Sequence, residues 1–365
     1  MLFDPKPKED PKDLFDREEE ISKLRTGIKY PLTLLLGIRR SGKSSLIKVL
    51  MKEEDALWIY LDLRKYEGKL YLNYRDLTQE LEKALNTIPD KLRKLLNGVK
   101  GVNVMGLEVK LKWGRGKVEV SDLLERLSEI GEREGKRAII VLDESQELRK
   151  LKGYNLLYPL AYAYDNLKVS LVFTGSEVGM VYRFLKLNDA GSPLFGRAFV
   201  NVTVPPFPRD KAIEFLRRGF EEVGVRVKDD ELEDAYSNLG GIPGWLTYYG
   251  FNYLQERDHR KALDKTISLG VSLIMEEFRN FLSIRRGAES RYYAIMRVCV
   301  KGCRWSDVKR AIEAKEGVEI DDKRLSELLQ NLTDASFLIK ENDEYKPADI
   351  MISKAFESPI NMGSY

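Results

Sequence analysis

Leu32-Thr33-Leu34-Leu35-Leu36 runs directly into Gly37-Ile38-Arg39-Arg40-Ser41-Gly42-Lys43-Ser44, and that into Ser45-Leu46-Ile47-Lys48-Val49-Leu50. A short, continuously apolar run that ends in glycine is the pattern of a strand buried on both faces. The eight residues after it fit G-x-x-x-x-G-K-[ST] and stand where such a loop must stand, between a strand and a helix. Glycines let the chain fold around an anion, so that successive N–H groups and the helix N-terminus aim at it. The stretch therefore points to a nucleotide phosphate. Gly37, Ile38, Arg39, Arg40, Ser41, Gly42 and Ser45 form the cradle, Lys43 places a charge on the β- and γ-phosphates, and Ser44 offers a hydroxyl to Mg²⁺. Arg39 and Arg40 either assist the phosphates or pair with acids elsewhere.

Similar apolar runs follow at 57–63 (LWIYLDL), 138–143 (AIIVLD), 169–175 (VSLVFTG) and 199–204 (FVNVTV), separated by helical stretches at 74–86, 121–133 and 153–164. Five strands alternating with helices predict a doubly wound α/β domain with a parallel sheet. Residues 101–120 break the rhythm: apolar and polar residues alternate around Gly106 and Gly114-Arg115-Gly116, which predicts an inserted β-ribbon. Ahead of the first strand, Asp16 with Glu19 three positions later predicts a capped helix that ends at Pro31.

A phosphate loop needs a carboxylate for the metal and a base for water. Asp143 and Glu144 stand at the C-terminal end of a buried strand, where open α/β sheets bind ligands. Asp143 is expected to serve the metal and Glu144 to polarise the attacking water. Thr174-Gly175-Ser176 ends the next strand, so Ser176 is a candidate hydroxyl near the γ-phosphate. Arg197, just before the fifth strand, is a candidate for stabilising transition-state charge on a neighbour's nucleotide, with a surface ion pair as the alternative. The single histidine, His259, reads as a solvated helix end.

With 43% hydrophobic and 33% charged residues, the chain is neither disordered nor fibrous. A net charge of +3 gives no field over the whole molecule, so any nucleic-acid surface has to be local. Two cysteines, Cys299 and Cys303, cannot make a scaffold or a zinc site; they read as ordinary thiols in a reducing compartment. No run approaches a membrane helix and the N-terminus is too polar for a signal peptide, so a cytoplasmic protein with no membrane contact is expected. Residues 1–13 are expected to be a loose arm and 14–207 the α/β core. After Pro205-Pro206-Phe207-Pro208 the chain turns helical (209–223, 229–239 and 243–256, the last behind Gly240-Gly241-Ile242-Pro243), which predicts a helical lid over 208–283. Three helices (288–300, 305–315, 321–333) and a short hairpin predict a winged helix within 284–365. Residues 285–310 hold eight basic side chains against two acids, a candidate phosphate-facing patch. The third helix of this unit, from Asp321, is acidic at its start, so DNA and protein both stay open as its partner.

This order of motifs resembles the archaeal P-loop ATPases related to the AAA+ and STAND NTPases. The family's Phe-x-Gly-Arg-Glu appears as Phe15-Asp16-Arg17-Glu18, with Asp in place of Gly, and its Asp-Glu-Ala-Gln as Asp143-Glu144-Ser145-Gln146. The resemblance implies ATP or ADP with Mg²⁺ as ligands, core strand order 5-1-4-3-2, and Gly241-Ile242-Pro243 close to the nucleotide, which adds Pro243 to its contacts. It also implies possible homo-oligomers. Three functions follow as expectations: an ATP-hydrolysing switch, a scaffold that holds nucleotide without turnover, and a DNA-remodelling or initiator-like ATPase.

Overall fold

A computed structural model describes residues 1–106 and 108–357; the end of the expected winged-helix unit, 358–365, lies outside the described residues. In the first part of the chain come α1 (Glu18–Gly27), β1 (Leu32–Leu36), α2 (Lys43–Glu53), β2 (Leu57–Asp62), α3 (Tyr74–Leu85), the short α4 (Asp90–Arg93), β3 (Val102–Met105), β4 (Glu108–Leu111), α5 (Val120–Arg133), β5 (Ala138–Asp143), α6 (Leu157–Asn166), β6 (Val169–Gly175), α7 (Val178–Leu185) and β7 (Val200–Thr203). The core sheet is β2-β5-β6-β1-β7, all parallel. Counting these five strands in chain order and reading from the β7 edge gives 5-1-4-3-2, as the family resemblance implies. Every residue of β1, β5 and β6 is buried, which is why their sequences are mainly apolar, with Thr33, Asp143, Ser170 and Thr174 the polar exceptions.

The expected ribbon forms, but only over β3 and β4; Gly114-Arg115-Gly116 lies in a loop beyond it. The expected cap of α1 does not form. Asp16 takes φ +49°, a conformation that favours glycine, and the helix starts one residue after Arg17 without a side-chain cap. The buried guanidinium of Arg17 instead donates to Pro205 O at 2.8 Å, tying α1 to the chain after β7.

The helical half continues with α8 (Arg209–Glu221), α9 (Asp229–Leu239), α10 (Pro243–Glu256), α11 (His259–Leu282), α12 (Glu289–Val298), β8 (Cys303–Arg304), α13 (Trp305–Glu316), α14 (Asp322–Asp334), β9 (Leu338–Glu341), β10 (Glu344–Pro347) and α15 (Ile350–Glu357). The three-stranded sheet β8-β10-β9 beside α12, α13 and α14 is the winged helix. The lid helices and the winged helix share one apolar core: Trp245, Phe278, Tyr292 and Phe337 belong to the same buried cluster. The long α11, absent from the sequence reading, joins them.

Two further expectations fail here. Residues 1–13 are not a loose arm, because Phe3 is wholly buried, edge-on to Phe215 and Phe220 in the lid core. Glycines at 219 and 250 make its slot: a Cβ on Gly250 would come within 2.3 Å of the ring. Cys299 and Cys303 are not free thiols but a disulfide with Cα atoms 4.7 Å apart, within the span such a bond requires. No helix among the described residues is long and apolar enough to cross a membrane.

Candidate functional site

A cavity of about 470 Å³ opens between the C-terminal edge of the sheet and the lid. Its floor is the loop between β1 and α2. Gly42, at φ +104°, turns the loop into the helix, and Arg40 is also left-handed at φ +65°. Lys43 is buried, and its ammonium donates to Gly37 O at 2.8 Å and Ile38 O at 3.0 Å, across the mouth of the loop. Burial pushes its pKa down, partly offset by Glu144 and Asp143.

Strand β5 brings the two acids to the same edge. Asp143 is fully buried and accepts from the Tyr60 and Thr174 hydroxyls of the strands on either side, and from Ser44 Oγ at 3.3 Å. Glu144 leaves the strand at φ +55°, held by its N–H to Thr174 Oγ1 at 3.0 Å. That turn aims its carboxylate at Ser176, whose N–H and Oγ donate to Oε2 at 3.1 and 2.5 Å, and at Gln146, whose Nε2 donates at 2.7 Å. Glu144 Oε1 lies 4.0 Å from Lys43 Nζ. Burial acts to raise the Glu144 pKa, but Lys43, Ser176, Gln146 and Arg39 outweigh it and hold the group at about 2. Asp143 shifts the other way, up, through burial and the charge of Glu144. The two adjacent acids are thereby pushed in opposite directions, Asp143 up and Glu144 down.

The lid closes the other wall. Phe15, Phe207, Phe215, Pro243, Tyr248 and Leu273 line it, and Pro5 to Lys8 of the N-terminal segment reach its rim. Lys8 N–H donates to Ser45 Oγ at 3.0 Å. Pro243 begins α10, and Gly244 is needed beside it, since a Cβ there would sit 2.6 Å from Arg40 Cβ. Both loop arginines pair with acids: Arg39 with Glu67, Glu177 and Glu277 at 2.8, 3.2 and 3.0 Å, and Arg40 with Glu277 at 2.9 Å. Glu277 belongs to α11, so the phosphate loop is tied to the helix that leads to the winged helix. Arg40 also stacks on Trp245, 4.3 Å from its ring centre.

The structure thus brings together Gly37 to Ser45, Asp143, Glu144, Ser176 and Pro243. It does not bring Arg197 to them; that side chain pairs with Asp165 through Nε at 3.0 Å and lies outside the cavity. His259 is not a solvated helix end but sits between Tyr249 OH and Asp234, each at 2.8 Å. Sequence reasoning missed Tyr60, Gln146, Arg17 and Glu277. Of these, Arg17 and Gln146 stood inside the two motifs that carry the family resemblance but were given no role there; Tyr60 and Glu277 are joined to the site by folding alone.

The residues fit a nucleotide with Mg²⁺: a cationic, glycine-bent loop faces a hydroxyl–carboxylate pair, and Ser41 Oγ and Gln146 Oε1 are buried at the cavity with no protein partner among the described residues. The family described as the ATPase domain predominantly from Archaea matches residues 14–249. The chain belongs to this family. Residues 286–348 match the MCM protein C-terminal winged helix-turn-helix domain. Among solved structures, the Walker-type ATPase PABY2304 of Pyrococcus abyssi is 36% identical, with 98% of this chain and 99% of that one covered at a TM-score of 0.85. The ORC2 protein of Aeropyrum pernix, 12% identical over 98% and 95% of the two chains with a TM-score of 0.58, shares the fold. No curated protein matches the chain.

Proposed function

We propose that the protein is a Mg²⁺-dependent ATP hydrolase that acts as a switch, its nucleotide state setting the position of the lid and winged helix. The observation that carries this is the clamp on Glu144, a carboxylate kept ionised and aimed by Ser176 and Gln146 at the mouth of the loop. In that state it can accept a proton from, and orient, a water attacking the γ-phosphate. Lys43 would exchange its two carbonyl partners for phosphate oxygens, a stronger, charge-assisted bond. Ser44 Oγ and Asp143 would hold Mg²⁺, which when bound lends positive charge to the β- and γ-phosphates.

Two contacts support transmission. A γ-phosphate beside Arg39 and Arg40 competes with Glu277, and so with the hold on α11. On the other side, Ser176 leads into α7, whose Val178 N–H donates to Ser336 Oγ at 3.3 Å and whose Arg183 pairs with buried Asp334 of α14. Order around a γ-phosphate is a known route to such movements.

For the winged helix we favour docking over DNA binding. Arg285 lies on the Phe281 ring and donates to Phe281 O, Arg291 pairs with Glu316, Lys309 with Asp322 and Arg310 with Asp307, so half of the basic patch is already engaged. The test is steady-state ATP turnover with Mg²⁺, with chelator, and with duplex DNA. Turnover that needs Mg²⁺ and ignores DNA supports the reading. No turnover in any condition, with ATP bound, leaves the scaffold instead.

A further inference from the structure

The insertion between α3 and α5 does not take part in the nucleotide cleft, yet it carries the molecule's most one-sided charge. From Lys91 to Lys117 there are eight basic side chains and one acid, Glu108, in a chain whose total is only +3. The segment is firmly built. Val109, Leu111 and Val118 sit in the main core, Asn86 bonds both backbone groups of Val109 at 2.9 and 3.0 Å, and Glu82 accepts from Leu111 N–H at 2.9 Å. These bonds cover the outer edge of β4, so that edge does not offer itself as a strand template.

What it presents outward is different. Lys94, Lys100, Lys112 and Arg115 are exposed and make no ion pair among the described residues. Half of the winged-helix cations, by contrast, are engaged. Among these charges stands Trp113, 51% exposed in the loop Lys112-Trp113-Gly114-Arg115-Gly116, with the Arg75 guanidinium 4.6 Å over one side of its ring. The loop is closed by Val118 N–H to Lys112 O at 2.9 Å and Lys117 N–H to Gly114 O at 2.9 Å, so the ring is displayed on an ordered support.

We propose that this insertion is a binding surface for single-stranded nucleic acid. Four exposed cations without an ion-pair partner on one insertion suit a phosphate backbone, and the supported indole between Lys112 and Arg115 in the chain offers a base a face to stack on. The aromatic stands among charges rather than in an apolar patch, which argues against a buried protein interface. An unstacked base is needed to use the ring, which selects single strands over duplex.

The test is fluorescence anisotropy of a labelled single-stranded oligonucleotide with the full chain across a salt series. Wild type should bind, with log affinity falling linearly in log salt. Replacing Lys94, Lys100, Lys112 and Arg115 by Ala should flatten that slope by about 3, at roughly 0.7 per lost phosphate contact, and weaken binding more than tenfold at low salt. Trp113→Ala should weaken binding roughly 5- to 100-fold and leave the slope alone. All five side chains are on the surface, and an unchanged circular dichroism melt checks that each variant folds. No binding at low salt overturns the proposal, as does binding that persists in both variants. Equal affinity for duplex, or capture of anionic vesicles with no affinity for oligonucleotide, overturns it as well.

Discussion

The two walls of the nucleotide cleft are built by different rules. The sheet wall takes its chemistry from two short stretches, Gly37 to Ser45 and Asp143-Glu144, each placed by the strand it follows. The lid wall is assembled from residues far apart in the chain: Phe3, Phe15, Pro243, Leu273 and Glu277 meet only because the helical half folds onto them. Spacing within a motif is therefore enough to place a reacting group, while closure over it depends on long-range packing. On this view substitutions in the sheet wall should change binding or chemistry with little loss of fold, and substitutions behind the lid wall should change stability first.

The largest effect is expected at Lys43. Lys43→Ala removes the charge that would meet the β- and γ-phosphates, so ATP affinity measured by calorimetry should fall by several kcal/mol, on the order of 100-fold or more, with the thermal melt nearly unchanged. Unaltered affinity would remove the loop from nucleotide binding. Glu144→Gln comes next. The amide keeps the shape but cannot take a proton, so turnover should drop on the order of 100-fold while ATP stays bound. A variant that hydrolyses ATP at the wild-type rate would show that some other group activates the water.

Phe3→Ala probes the opposite wall. Burying a phenylalanine in a core is worth roughly 3–5 kcal/mol, and a terminal segment can peel away at lower cost, so a loss of roughly 2–3 kcal/mol in denaturant unfolding is expected. Since Pro5 to Lys8 follow Phe3 along the cavity rim, nucleotide affinity should weaken only several-fold. A loss of turnover as large as that of Glu144→Gln would break the division between the walls.

Much of the sheet wall was legible because its rules are local. A buried strand, a glycine loop and a strand-end acid each have a short signature, and the strand order followed from family resemblance. The lid wall was less so. Phe3 lies in a stretch of Pro, Lys and Asp that reads as solvent-exposed, and only the gap left by Gly219 and Gly250 makes it a core residue. The buried positions of α11 run from Ala262 to Leu282 through Thr266 and Gly270, so its apolar stripe is interrupted where α15 packs against it at Met351. Arg197 meets Asp165 in space, the surface ion pair that the sequence offered as the alternative to a role on a neighbour's nucleotide. His259 likewise finds Asp234 and Tyr249 only through the packing of α9 against α10 and α11.

Acid titration separates the walls most finely. Asp349 lies behind the lid, accepting from Trp245 Nε1 and Met351 N–H, each at 2.8 Å, and burial pushes its pKa up to about 6. Its folded value exceeds its unfolded one, so the folded state binds this proton more tightly. The stability it contributes is complete below pH ~4 and is lost as the pH rises through about 6. Glu144 has the opposite sign: held at about 2, it contributes stability above pH ~4.5 that is lost only as the pH falls toward 2. Between pH 4.5 and 7 Glu144 is therefore nearly flat and Asp349 slopes downward; the raised Asp143 of the sheet wall has the sign of Asp349 but is present in both wild type and an Asp349 variant and cancels. Asp349→Asn should remove that slope, so that its melting temperature gains on wild type as the pH is raised from 4.5 to 7, by the equivalent of roughly 2 kcal/mol. Glu177, also raised, to about 7, is present in both proteins and cancels in the difference. A wild-type–variant difference that does not change with pH would mean that Asp349 is ionised in the folded state, and that its bond to Trp245 is a charge-assisted one across the whole range.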